Sequence, residues 1–208
     1  MRTGLTLTLV IVCLATGCAS AVRVKPASPP VMLQEAPSQT PASLYIDPEI
    51  EHLRARVTTP SGDIGLGDIT VEFDLGSAVA ATIRNSARQA FANVREVAAP
   101  ACAEQTAILF AASLPTPPYI HIHWRDETPR VGGGTVAELS VRVTPRTCDG
   151  TLLTPAVARG SGRAENLQTG ANWPTEDDFQ PGIDAALRNL QMNLAELFTD
   201  LGKAGAAP

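Results

Sequence analysis

The sequence predicts an α+β fold, a two-layer sandwich of mostly antiparallel sheet with two helices packed on one face. Three observations carry this expectation. Six short runs are either alternately apolar and polar or continuously apolar; two longer stretches repeat apolar residues at helical spacing; and their order is strand, strand, helix, four strands, helix. Such a sheet buries one face, and amphipathic helices are its natural cover. No internal repeat is apparent.

The chain opens with Met1-Arg2, an apolar run from Leu5 to Ala15, and Ala15-Thr16-Gly17-Cys18. The run is too short to span about 30 Å of hydrocarbon, which takes roughly 20 residues. One early positive charge, a short apolar stretch and small residues before a cysteine predict a lipoprotein export signal over residues 1–17. Cleavage before Cys18 would leave Cys18 as a lipidated first residue, although Ala15 stands where Leu is commonest in such signals. The alternative is an ordinary secretory signal in which Cys18 is incidental. Residues 18–44 contain Pro26, Pro29, Pro30, Pro37 and Pro41 among Ser, Gln and Ala. They predict a lipid anchor followed by an extended, solvated tether of about 3 Å per residue. A partner-recognition motif is the other reading of that stretch.

A periplasmic domain is expected over residues 45–203, with a flexible tail at 204–208. Leu53, Ala55 and Val57 alternate with Arg54 and Arg56, and Ile69, Val71 and Phe73 alternate with Thr70, Glu72 and Asp74. These runs predict a β-hairpin with a long, turn-rich loop. From Gly76-Ser77 to about Val94, residues Val79, Ile83, Ala87, Ala90, Phe91 and Val94 share a helical face. Thr106 to Ala112 is continuously apolar, as a central strand would be. Ile120, Ile122 and Trp124 alternate with His121 and His123, and Leu139, Val141 and Val143 alternate with Ser140, Arg142 and Thr144. After a Cys148-Asp149-Gly150 turn, residues 152–163 predict a hairpin partner that Pro155 confines to an edge or irregular position.

The last helix is the clearest element. Ile183, Leu187, Leu190, Leu194, Leu197 and Leu201 recur at spacings of four and three, and Phe198 widens the stripe. Thr175 with Asp178 resembles a capping box, and Glu176, Asp177 and Asp178 suit the positive end of a helix dipole. Pro181 allows a second start near Gln180. The seam predicts burial on the protein's own sheet, with a coiled coil between copies as the competing use.

Formal net charge is -5, the isoelectric point is about 5.2 and aromatics make up 4% of the chain. That balance argues against nucleic acid as a partner, which would call for a basic footprint. Cys13 leaves with the signal and Cys18 takes the lipid, so Cys102 and Cys148 form the remaining pair. In an oxidising compartment they predict a disulfide, which in the chain-entropy model is worth about 4 kcal/mol. Two metal-binding thiolates are the alternative, without a neighbouring Cys or His at ligand spacing.

Candidate chemistry is sparse. His121 and His123 share one face of a strand and would offer two imidazoles to zinc or copper, with His52 a distant third; the competing reading is a solvent face. Gly132-Gly133-Gly134 would cradle an anion or form a hairpin loop, and the missing strand-to-helix context and lysine favour the loop. Gly160-Ser161-Gly162 is not a nucleophile elbow, and small residues at a strand end explain it more simply. Helix-start charge accounts for Glu176, Asp177 and Asp178 without catalysis. The expectation is a non-enzyme with no cofactor.

The segments around Cys18, from Phe73 to Val94 (FDLGSAVAATIRNSARQAFANV), from Asp149 to Asn166 and from Gly182 to Leu201 resemble periplasmic lipoproteins of the LPS-assembly lipoprotein and YajG-like kind. The likeness is architectural. It implies an outer-membrane address, because Ala19 and Ser20 rather than Asp follow the cysteine, and an accessory role beside an envelope protein partner. It carries no catalytic residues. A lipid- or apolar-ligand-binding module using the sheet–helix cleft, and a metal-handling protein using His121 and His123, are the other functions weighed.

Overall fold

The computed structural model describes residues 21–30, 36–60, 68–127, 130–168 and 175–205. Its architecture is α+β, with two sheets and three helices among the described residues. The expected signal over 1–17, Cys18 and residues 206–208 lie outside the described residues, whereas residues 204 and 205 of the expected flexible tail are helical.

The predicted hairpin is present: β3 (Arg54–Pro60) pairs antiparallel with β4 (Asp68–Asp74), setting Val57 opposite Val71. A third strand, β1 (Ala21–Val24), joins β4 in parallel. This departs from the expected tether over 18–44. Val24 and Pro26 are buried, and the Lys25 backbone N–H donates to Glu176 Oε1 at 2.8 Å. Farther on, the Asn85 amide donates to Ser28 Oγ at 3.2 Å and the Gln191 amide to Pro30 O at 3.1 Å. Residues 21–30 are thus strapped to the domain, and the prolines suit this because an irregular strap needs few backbone donors.

The second sheet begins with β2 (Ala42–Ile46), whose first three residues fall in the stretch expected to be tether. It pairs in parallel with β5 (Val94–Val97) on one side and β6 (Ile108–Ser113) on the other. β8 (Arg130–Thr147) runs antiparallel to β6, to β7 (Tyr119–Glu127) and to β9 (Ala156–Gln168). A strand has two edges. Because Val143 pairs with both Ala112 and Ala156, and Thr135 with both Ile122 and Ala164, β6 and β7 must share one edge of β8. They are one strand interrupted by a bulge at 114–118, where the five residues between Ser113 and Tyr119 face the three between Arg142 and Glu138.

Between β2 and β3 sits a single turn, α1 (Pro48–Glu51), capped by the Asp47 carboxylate. Helix α2 (Gly76–Ala90) ends earlier than periodicity predicts, since Phe91 turns extended and Val94 belongs to β5. Its first turn presses on α1: a Cβ at Gly76 would lie 2.1 Å from Glu51 O. Helix α3 (Glu176–Gly205) starts at the earlier of the two expected positions, with Pro181 inside it. Thr175 N–H donates to the Asp178 carboxylate at 2.6 Å, half of the predicted box. The apolar stripe is buried on the protein's own fold: Ile183, Leu187, Leu190, Leu194 and Phe198 are inaccessible, and Phe198 stacks edge-on to Phe110 at 5.2 Å. Helices α2 and α3 pack on one another and on the large sheet, and the buried face of the small sheet (Val24, Ile69, Val71, Phe73) joins the same core.

Two glycine motifs are placed differently from expectation. Gly132-Gly133-Gly134 is not a hairpin loop but the first half of β8. Gly160-Ser161-Gly162 lies in the middle of β9 rather than at a strand end. There α3 crosses so closely that a Cβ at Gly160 would sit 2.1 Å from Ala186 O, and one at Gly162 2.1 Å from Gly182 O. Asn189 and Asn193, one helical turn apart, donate to Ser161 O and Arg159 O at 2.6 Å each.

Candidate functional site

The small sheet places like charges on like strands. Residues two apart on a strand share a face, and on this sheet's outer face the register sets Arg23, Glu72 and Arg56 in one row across β1, β4 and β3. The next row sets Asp74 beside Arg54, with Lys25 just past the end of β1. Each carboxylate of the central strand therefore lies between two cations. Arg23 Nε is 3.5 Å from Glu72 Oε2, and both side chains are solvent-accessible. These six side chains line a cleft of about 420 Å³, floored by Ala55 and Phe73. Four cations and two carboxylates leave a surplus of two positive charges on a chain whose net charge is -5. Arg54 and Arg56 make no ion pair closer than 4.0 Å among the described residues, so their guanidinium donors face open solvent.

What this arrangement offers is a charged surface that attracts and holds anions. Cross-strand ion pairs on a solvated sheet face contribute about 0.2–1 kcal/mol each. The surplus cations add a field that attracts anions and is screened within about 10 Å at 0.1 M salt. Guanidinium forks suit carboxylate or phosphate oxygens in particular.

The residues singled out in the sequence are distributed elsewhere. His121 and His123 lie on the outer face of the large sheet, opposite buried Ile122, with stacked rings 6.4 Å apart. His123 Nε2 lies 4.0 Å from Glu165 Oε1 on β9, two strands away. Gly134, between them in register, makes this crossing possible, since a Cβ there would stand 2.7 Å from the imidazole. Glu165 also meets Arg163 at 2.5 Å. His52 follows α1 on a different part of the fold, and no group of three or more His, Cys, Asp or Glu suited to a metal occurs among the described residues.

Cys102 and Cys148 are disulfide-bonded, with Cα atoms 5.8 Å apart across 46 residues. The bridge pins the segment 98–107 over the outer face of the large sheet. There Leu109, on the side opposite Phe110, is 1% exposed, Ser43 Oγ accepts from Ala103 N–H at 3.0 Å, and the Arg146 guanidinium donates to Pro100 O. Asp178 accepts from Thr175 N–H at the start of α3, while Glu176 accepts from the Lys25 backbone of the strap. A separate clamp holds the other flank: Arg84 on α2 bonds Glu51 at 2.5 Å and Glu96 on β5 at 2.8 Å. The guanidinium holds the Glu96 carboxyl below its usual value of 4.5, burial opposing it.

The cleft itself is absent from the sequence reading. Its signal was a period-two pattern of charge within three runs, Arg23-x-Lys25, Arg54-x-Arg56 and Glu72-x-Asp74. The first stands in a Pro-rich stretch whose composition predicts a tether, so no local pattern brings the three together.

No family model matches the sequence, and no curated protein matches it. Among solved structures, the chain is similar to protein XCC0632 from Xanthomonas campestris, of family DUF330, at 10% identity and a TM-score of 0.36. The alignment covers 88% of this chain and 91% of that one.

Proposed function

We propose that the protein is a membrane-anchored periplasmic lipoprotein whose α+β domain is a non-enzymatic accessory or scaffold component of a bacterial cell-envelope complex. The observation that carries this reading is the junction Ala15-Thr16-Gly17-Cys18 after a short apolar run. The Cys102–Cys148 bridge supports an oxidising compartment. Ala19 and Ser20 after the cysteine, and the likeness to LPS-assembly and YajG-like lipoproteins, support an outer-membrane address and a protein partner in the envelope. A ligand held between sheet and helix finds no support at Gly160 and Gly162, where strand and helix backbones leave no room for a methyl group.

Cells fed a clickable palmitate analogue should incorporate label into the wild-type chain and none into Cys18→Ser. A wild-type chain without label would overturn the lipoprotein reading. Crosslinking followed by recovery from membranes should retrieve one defined envelope protein, and a persistent lone monomer would remove the accessory role while leaving the anchor intact.

A further inference from the structure

We propose that the cleft lined by Arg23, Lys25, Arg54, Arg56, Glu72 and Asp74 binds phospholipid phosphates of the leaflet that holds Cys18, so that the small sheet lies on the membrane. This rests on the acylation of Cys18. Two observations lead to it. The first is distance along the chain: β1 begins at Ala21, three residues after Cys18, and three residues span at most about 10 Å. Arg23 is five residues from the anchor, at most about 17 Å. The strap contacts at Lys25, Ser28 and Pro30 hold the segment after β1 to the helices, so it cannot pay out as slack.

The second is charge. The outer face of the sheet carries the cleft, its cations outnumber its carboxylates by two, and Arg54 and Arg56 keep their donors open. Anionic lipid attracts each nearby Lys or Arg. The alternating signs also fit a zwitterionic headgroup, phosphate on the guanidiniums and ammonium on Glu72 or Asp74. A free anion would see the same cations but lack the enforced proximity that the anchor supplies.

The chain contains its own probe. Its lysines are Lys25, in the cleft, and Lys203, about 40 Å along α3 from the Glu176 that accepts from Lys25. Both are exposed. Full-length protein, matured in cells and shown by mass spectrometry to be acylated at Cys18, would be reconstituted into vesicles of phosphatidylcholine with phosphatidylglycerol. It would then be labelled with a membrane-impermeant amine reagent. The expected result is that Lys25 is modified at least about fivefold more slowly than Lys203, relative to their rates in detergent. Arg54→Gln with Arg56→Gln, or high salt, should restore Lys25 labelling while the acyl chain remains. Equal protection in detergent by inorganic phosphate alone would identify a soluble-anion site and overturn the proposal. Unprotected Lys25 on an acylated chain in anionic vesicles would overturn it while sparing the lipoprotein reading; an unmodified Cys18 would sink both.

Discussion

The crossing of α3 over β9 and the outer face of the β1–β4–β3 sheet use side chains in opposite ways. At the crossing, specificity comes from atoms that are missing: Gly160 and Gly162 let the helix backbone descend onto the strand, and inaccessible Ile183, Leu187 and Leu190 fill the flanks. On the small sheet it comes from long charged side chains standing in solvent, in rows of alternating sign. Packing at van der Waals distance tolerates almost no change in volume, whereas an exposed ion pair is worth a fraction of a kcal/mol. The first region is built to fix the fold. The second contributes little to stability, which leaves its charges available for a ligand.

The sharpest way to break this contrast is Gly162→Val. Its Cβ would meet the Gly182 carbonyl at 2.1 Å and its branches the next turn of α3, so the helix must lift. We expect a loss of more than about 3 kcal/mol in urea unfolding. A loss below 1 kcal/mol would mean that helix and strand are not held together as described.

Arg84→Met is intermediate, because the clamp is partly exposed yet joins α1, α2 and β5. A cost of about 1 kcal/mol is expected at neutral pH. Glu96 has its folded value depressed, so its share of the stability is present above about pH 4.5 and is lost as pH falls through the folded value. The gap between wild type and variant should therefore narrow on acidification, and a gap that widens would exclude the ion pair as its source.

Smallest of all should be Arg54→Gln with Arg56→Gln, less than about 1 kcal/mol together by thermal denaturation. A large loss here would show that the charged rows are structural after all and remove the contrast.

Much of the architecture was legible because it rests on local periodicity. The stripe from Ile183 to Leu201 places α3, and the alternation around Val57 and Val71 places β3 and β4 in register. What failed was whatever depends on a distant partner. Ala21–Val24 is a strand only because β4, some 50 residues away, supplies its hydrogen bonds, and the prolines that follow mask it. Gly132–Gly134 has no side-chain pattern to read, yet β7 and β9 hold it extended on both sides. The candidate cleft inherits the same difficulty, since its three charged runs become neighbours only through a parallel pairing that no short window contains.

The two asparagines of α3 have a consequence beyond holding the helix in place. β9 has β8 as its only strand partner among the described residues, and an edge strand with vacant acceptors is a template on which another copy can polymerise. By occupying the carbonyls of Ser161 and Arg159 respectively, the carboxamides of Asn189 and Asn193 blunt that edge from within the same chain. Such a guard against fibrillar self-association matters most where copies of the chain reach high local concentration.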